Sequence, residues 1–209
     1  MRYFLALLAV LTATAAQAER GFASLTTETG IALVNVRAPY ATGAPGIAGT
    51  AFHLGLAGAY DLTDELRARA LLFYEKPATF VHNGATVSTG SGSFAGSLSE
   101  RAQRTGAAIG LRYVQGPVWQ FLVGADVGLS LQSHSSVDHF DVSGAGARNY
   151  RLGLVDTTQL AALVAPSVGL RWVGDRFSFG LEPRFELLAG PSTSWSVVVP
   201  LTVAWSWFL

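Results

Sequence analysis

Two groups of chemistry-bearing side chains stand out in this 209-residue chain. The first is a short polar stretch, His134-Ser135-Ser136, followed by Asp138-His139 and Asp141. Serine, histidine and aspartate are the ingredients of a nucleophile, its base and the group that orients the base. Such groups act only where they meet in space. A Gly- and Ser-rich segment gives that meeting no frame, so the plainer reading of His134, Ser135, Ser136 and His139 is a polar surface loop. His82, His134 and His139 show no recognised metal-ligand spacing, and no Gly-rich loop stands between strand and helix for a nucleotide. Neither a metal nor a cofactor is expected. With no cysteine in the chain, disulfides, thiolate zinc sites and thiol catalysis are excluded.

The second group is a scatter of charges at every-other-residue positions: Glu28, His53, Arg67, Arg69, Glu75, Arg112, Asp126, Arg171, Glu182, Arg184 and Glu186. Charge is scarce overall: 13% of residues are charged, 50% are apolar, the net charge is zero and mean hydropathy is +0.35. A nucleic-acid binder would show a basic excess, so none is expected as a partner. These few charges must therefore be positioned by largely apolar elements.

Those elements read with period two. Trp119, Phe121, Val123, Ala125, Val127, Leu129 and Leu131 alternate with Gln120, Leu122, Gly124, Asp126, Gly128, Ser130 and Gln132. Phe177 to Leu187 and Trp195 to Leu209 repeat the pattern, as do Phe52–Asp61, Leu66–Glu75, Gly106–Tyr113 and Gln159–Trp172. Alternation of this kind is the signal of a strand with two different faces. With a less regular stretch near Phe22 to Val36, the count is eight strands. One face of each is large and apolar, while the other holds glycine, hydroxyls and nearly all strand charges.

Connections alternate in length. Asp61–Leu66, Val114–Pro117 and Val173–Arg176 are expected to be tight turns. Arg37–Gly49, Lys76–Ala102 and Ser133–Asp156 read as long loops, and Ala189–Ser194 as a shorter one on the same side. Long loops at one rim and tight turns at the other describe an all-β, transmembrane up-and-down antiparallel β-barrel of eight strands. A soluble carrier barrel, the alternative, would turn its apolar face inward around a ligand. Here the face without charge suits lipid, where an Arg or Lys at mid-depth costs about 2–4 kcal/mol. Aromatic girdles are expected at Tyr60, Tyr113, Trp119, Trp172, Phe177 and Trp207 near the tight-turn end, and at Trp195, with Phe52 and Tyr74, near the other.

The N-terminus reads as an export signal over residues 1–18. Arg2 supplies the positive charge, an apolar stretch runs from Tyr3 to Ala16, and Ala16-Gln17-Ala18 fits a cleavage site. The barrel domain is then 19–209. With this signal, the eight-strand count and the final segment Val203-Ala204-Trp205-Ser206-Trp207-Phe208-Leu209, the chain resembles small bacterial outer-membrane barrels of the OmpA transmembrane-domain and OmpX type. The resemblance implies a monomer in the outer membrane of a Gram-negative envelope. Its partners would be outer-membrane lipids and the barrel-assembly machinery, which reads the last strand. Members of the group usually end on an aromatic residue, whereas this chain ends on Leu209, one place after Phe208.

Eight strands leave an interior that side chains fill. Glu28, Arg67, Arg69, Arg112, Asp126, Arg171, Glu182, Arg184 and Glu186 are expected to form a lumen ion-pair network, because buried charges persist when paired. A narrow ion path is the sharper alternative; no large pore is expected. Pro166, Pro183 and Pro200 fall inside three consecutive strands and donate no ladder hydrogen bond. A turn centred on Gly174-Asp175 would set Pro166 opposite Pro183, with Pro200 close by, and so create a possible lateral seam. The expected role is structural or surface-binding. The alternative is a lipid-modifying enzyme, a lipid A acyl hydrolase or transferase with lateral lipid access.

Overall fold

The computed structural model describes residues 21–36, 47–76, 79–89, 92–141, 149–150, 157–191 and 193–208. The export signal read over residues 1–18 lies outside them. The strands are β1 (Phe22–Val36), β2 (Ile47–Asp61), β3 (Leu66–Lys76), β4 (Thr79–Thr89), β5 (Gly92–Gln115), β6 (Trp119–Asp141), β7 (Asn149–Tyr150), β8 (Thr157–Val173), β9 (Phe177–Leu181), β10 (Arg184–Ala189) and β11 (Ser194–Phe208). All pairings are antiparallel, and β1 pairs with both β2 and β11, which closes the ring. The barrel has eight staves: β1, β2, β3, β5, β6, β8, the broken strand β9–β10, and β11.

Side-chain alternation sets the two surfaces. Large apolar residues face outward on every stave, with Trp119 at 62% exposure and Leu201 at 58%. Charged and small residues face in. This arrangement is the inverse of a carrier barrel. It leaves the outer belt free of charge through the stave centres, as a hydrocarbon surround requires. Closure also satisfies the backbone without an open edge.

Tight turns join the staves at one rim. The first hairpin closes with Leu62 and Thr63 N–H donating to the Leu66 carbonyl. The second relies on Gly116, whose φ of 109° is open to glycine and costly for other residues. At the other rim the structure corrects two expected loops. Lys76–Ala102 is largely a β-hairpin, because β4 pairs with the first half of β5 from Thr79↔Arg101 to Thr89↔Gly92. Ser133–Asp156 is strand as far as Asp141, since β6 follows β5 up to Ser97↔Asp141. Hydroxyl-rich sequence without apolar alternation hides these extensions, for above the lipid belt neither face needs to be apolar. The long connection after β1 falls outside the described residues between 36 and 47, as does the segment from 142 to 148.

Inward glycines make room for large neighbours. On β5 and β6, Gly110 pairs with Asp126 and Arg112 pairs with Gly124. A Cβ on Gly124 would lie 2.5 Å from Arg112 Cδ and 3.0 Å from its Nη1. On β2, a Cβ on Gly55 would stand 3.0 Å from Glu28 Oε2. Apolar packing fills the remaining interior: Ala57, Leu71, Phe73, Ala108, Ala161, Leu163, Ala165 and Leu188 form one cluster. Gly124→Val is expected to reduce unfolding free energy by about 1–3 kcal/mol, the range for an overpacked site. Ala125→Val on the outer face is expected to stay within about 0.5 kcal/mol. Urea midpoints of the folded gel band in detergent would measure both.

Candidate functional site: the charged lumen

Five arginines and five carboxylates are buried inside the barrel: Arg69, Arg104, Arg112, Arg171 and Arg184 against Glu28, Glu75, Asp126, Glu182 and Glu186. Four of the arginines and all five carboxylates are joined. In the half nearer the tight turns, Arg112 donates from Nε to Glu182 Oε1 at 2.5 Å and from Nη2 to Asp126 Oδ2 at 2.6 Å. Arg69 donates from Nη1 to the same Glu182 oxygen at 3.0 Å and from Nη2 to Glu28 Oε1. Ser167 Oγ adds a third donor to Glu182 Oε1 at 3.3 Å.

Glu28 links this group to the next. Its Oε2 accepts from Arg184 Nη1 at 2.8 Å, while Arg184 Nε donates to Glu186 Oε1 at 2.9 Å. Ser196 Oγ donates to Glu186 Oε2 at 2.7 Å and accepts from Arg104 Nη1 at 2.9 Å. Arg104 Nη1 also reaches Glu75 Oε2 at 3.4 Å. His53, fully buried, lies at the centre. Arg184 Nη2 approaches its Nε2 at 2.8 Å, and a guanidinium only donates. Nε2 therefore accepts, and the ring proton on Nδ1 donates to Glu75 Oε1 at 3.3 Å. Phe73 stacks on the imidazole with centroids 6.2 Å apart. With His53 neutral, the buried charges sum to zero.

Every stave contributes to this network: Glu28 from β1, His53 from β2, Arg69 and Glu75 from β3, Arg104 and Arg112 from β5, Asp126 from β6, Ser167 from β8, Glu182 and Arg184 from the broken stave, and Ser196 from β11. Two sequence-derived members stand differently. Arg67 pairs with Asp61 at the tight-turn mouth, where both side chains are partly exposed. Arg171 is buried on the inner face with no carboxylate within ion-pair distance among the described residues. Sequence reading missed Arg104, because the strand was expected to begin at Gly106. The signal was available, since Ala102 and Arg104 continue the inner-face parity of Gly106 and Ala108.

The aromatic residues expected as a girdle near the tight turns lie on the outer face, with one exception. Tyr113, Trp119, Trp172, Phe177 and Trp207 are exposed on the outer face, with Phe22 and Trp205 beside them. Trp172 stacks on Phe179, and Trp195 stacks on Phe185 toward the other rim. Tyr60 is half-buried, its ring lying over Gly21. The backbones of His134, Ser135 and Ser136 run in β6 opposite Ala102, Arg101 and Glu100. His139 lies on the same strand, so these four residues sit on a strand extension and not in a loop. Their side chains lie outside the described residues.

The proline register differs from expectation. The turn after β8 spans Gly174 to Phe177, with Gly174 N–H donating to the Phe177 carbonyl at 2.8 Å. The turn centre therefore shifts, and Val173 pairs with Ser178. Pro183 consequently faces Val168, whose N–H donates to the Pro183 carbonyl at 3.1 Å, and does not face Pro166. The β8–β10 ladder pairs Ser167 with Arg184 and resumes at Val164 with Leu187. Pro166 and Pro183, both without N–H, thus thin the ladder along one seam, next to the break between β9 and β10. Pro200 lies one seam away: its carbonyl accepts from Glu182 N–H at 3.4 Å, and its other neighbour is Gly30. Inside the thinned seam, the Ser167–Glu182 hydrogen bond ties β8 to the broken stave. Ser167→Ala is expected to speed amide hydrogen exchange at Phe185 to Leu188 relative to β2. Equal rates would show that the ladder holds without that tie.

Comparison with known proteins places the fold. No protein-family model matches the chain, and no curated protein matches it. Among solved structures it is similar to Ail, the attachment invasion locus protein of Yersinia pestis. That match has a TM-score of 0.54 at 9% identity, and covers 90% of this chain and 99% of that one. It is also similar to Neisserial surface protein A, with a TM-score of 0.52 at 11% identity and the same coverage. At these identities the likeness is one of fold: the chain has the architecture of the small eight-stranded outer-membrane β-barrel proteins.

Proposed function

We propose that this chain is an integral outer-membrane barrel with a closed lumen, acting in envelope structure or in surface contact through its long-connection rim. The observation that carries the reading is the buried network of ion pairs and hydrogen bonds, which draws on all eight staves and lies across the lumen. Tight turns then face the periplasm, and the β4–β5 hairpin and the upper part of β6 face outward. Export through the leader at residues 1–18, assembly through the last strand and a monomeric state complete the proposal. Specificity in such barrels resides in the connections at one rim, carried on a rigid scaffold. Native chain inserted in a planar lipid bilayer is expected to give no stepwise channel conductance, and well-resolved steps would overturn the closed-lumen reading.

A second reading rests on the thinned β8–β10 seam. An acyl chain passing between these staves would reach Ser167 and Glu182, and a lipid-modifying role would follow. Lipid A mass spectra from outer membranes with and without the expressed chain test it. Gain or loss of an acyl mass supports lipid modification, while identical spectra remove it.

A further inference from the structure

We propose that Arg171 forms an oxyanion site at the tight-turn mouth of the lumen, taking a phosphate group from the aqueous side. Arg69, Arg104, Arg112 and Arg184 each lie within 4.0 Å of a carboxylate oxygen. Arg171 does not, among the described residues, and it is only 7% exposed. With no carboxylate in reach, its guanidinium donors are left for an oxygen ligand. Glu182 Oε1 already accepts from Arg69, Arg112 and Ser167. Asp61 is paired with Arg67.

The neighbours of Arg171 add donors. Gln120 faces it directly across the β6–β8 pair, and Gly180 faces it across the β8–β9 pair. Gly180 brings no side chain into the lumen, and Ser178, two residues nearer the rim on β9, is buried on the inner face. Gln120 Oε1 is buried without a donor among the described residues. With the amide turned over, its NH₂ group takes that buried place and offers two donors. A planar guanidinium that grips two oxygens, an amide and a hydroxyl then meet a tetrahedral oxyanion from three sides. The mouth is open to water, for the side chains of Arg67 and Asp61 are 13% and 22% exposed.

The test uses full-length, refolded protein labelled with ¹⁵N-arginine in a maltoside detergent that carries no phosphate. Inorganic phosphate is titrated at constant ionic strength against sodium chloride. One Nε–H resonance, missing from Arg171→Lys, is expected to shift saturably with phosphate and not with chloride. Gln120→Leu and Ser178→Ala, which leave the cation in place, are expected to weaken binding by roughly tenfold, the scale of one hydrogen bond to a charged group. A second arm replaces inorganic phosphate with short-chain phosphatidate. Saturation there alone assigns the phosphate to a lipid headgroup, and saturation in the first arm assigns it to a free anion. No saturable shift in either arm, or unchanged affinity in both Gln120→Leu and Ser178→Ala, would overturn the site.

Discussion

Inside eight staves there is no room for the bulk water that would hydrate a charge, yet five arginines and five carboxylates point inward. Mutual pairing accommodates four of the arginines and all five carboxylates. Arg184 reaches Glu28 across 156 residues of sequence, Arg69 reaches Glu182 across 113, and Arg104 reaches Ser196 across 92. None of these contacts exists in an isolated hairpin. The network therefore forms as the ring closes, and removing one partner strands another. Polar bonding of this kind specifies a unique stave order more sharply than apolar packing does, because a register slip leaves charges unmatched.

The same constraint explains where glycine falls. Gly110 and Gly124 stand opposite Asp126 and Arg112, so each bulky charged side chain is set against an absent one. Gly55 does the same for Glu28. The seam beside Pro166 and Pro183 shows the converse case. There the backbone ladder is thinned, and the side-chain bond between Ser167 and Glu182 bridges the two staves.

Much of this architecture is legible in residue order. Period-two alternation yields the eight staves, and the irregular first strand is strand in the structure from Phe22 to Val36. Inward charges follow from parity alone. Three things are not legible. Strand continues above the lipid belt through β4 and the outer parts of β5 and β6, where no hydrophobic contrast marks it. The pairing of Pro183 with Val168 depends on the length of a single turn, which composition does not set. Which cation goes without a partner depends on how the whole ring brings side chains together, so Arg171 is indistinguishable from Arg112 in sequence and differs from it in space.

The 24 residues of β5 carry a mechanical consequence. At about 3.4 Å per residue such a strand is about 80 Å long, and tilted by roughly 40° it rises well past an apolar band about 25 Å tall. The part beyond the band is paired backbone, with β4 on one side and β6 on the other. A partner meeting this ridge encounters a chain whose conformational freedom was surrendered when the barrel folded. The entropy that a slack loop loses on docking, about 1–2 kcal/mol per ordered residue, is absent from that encounter.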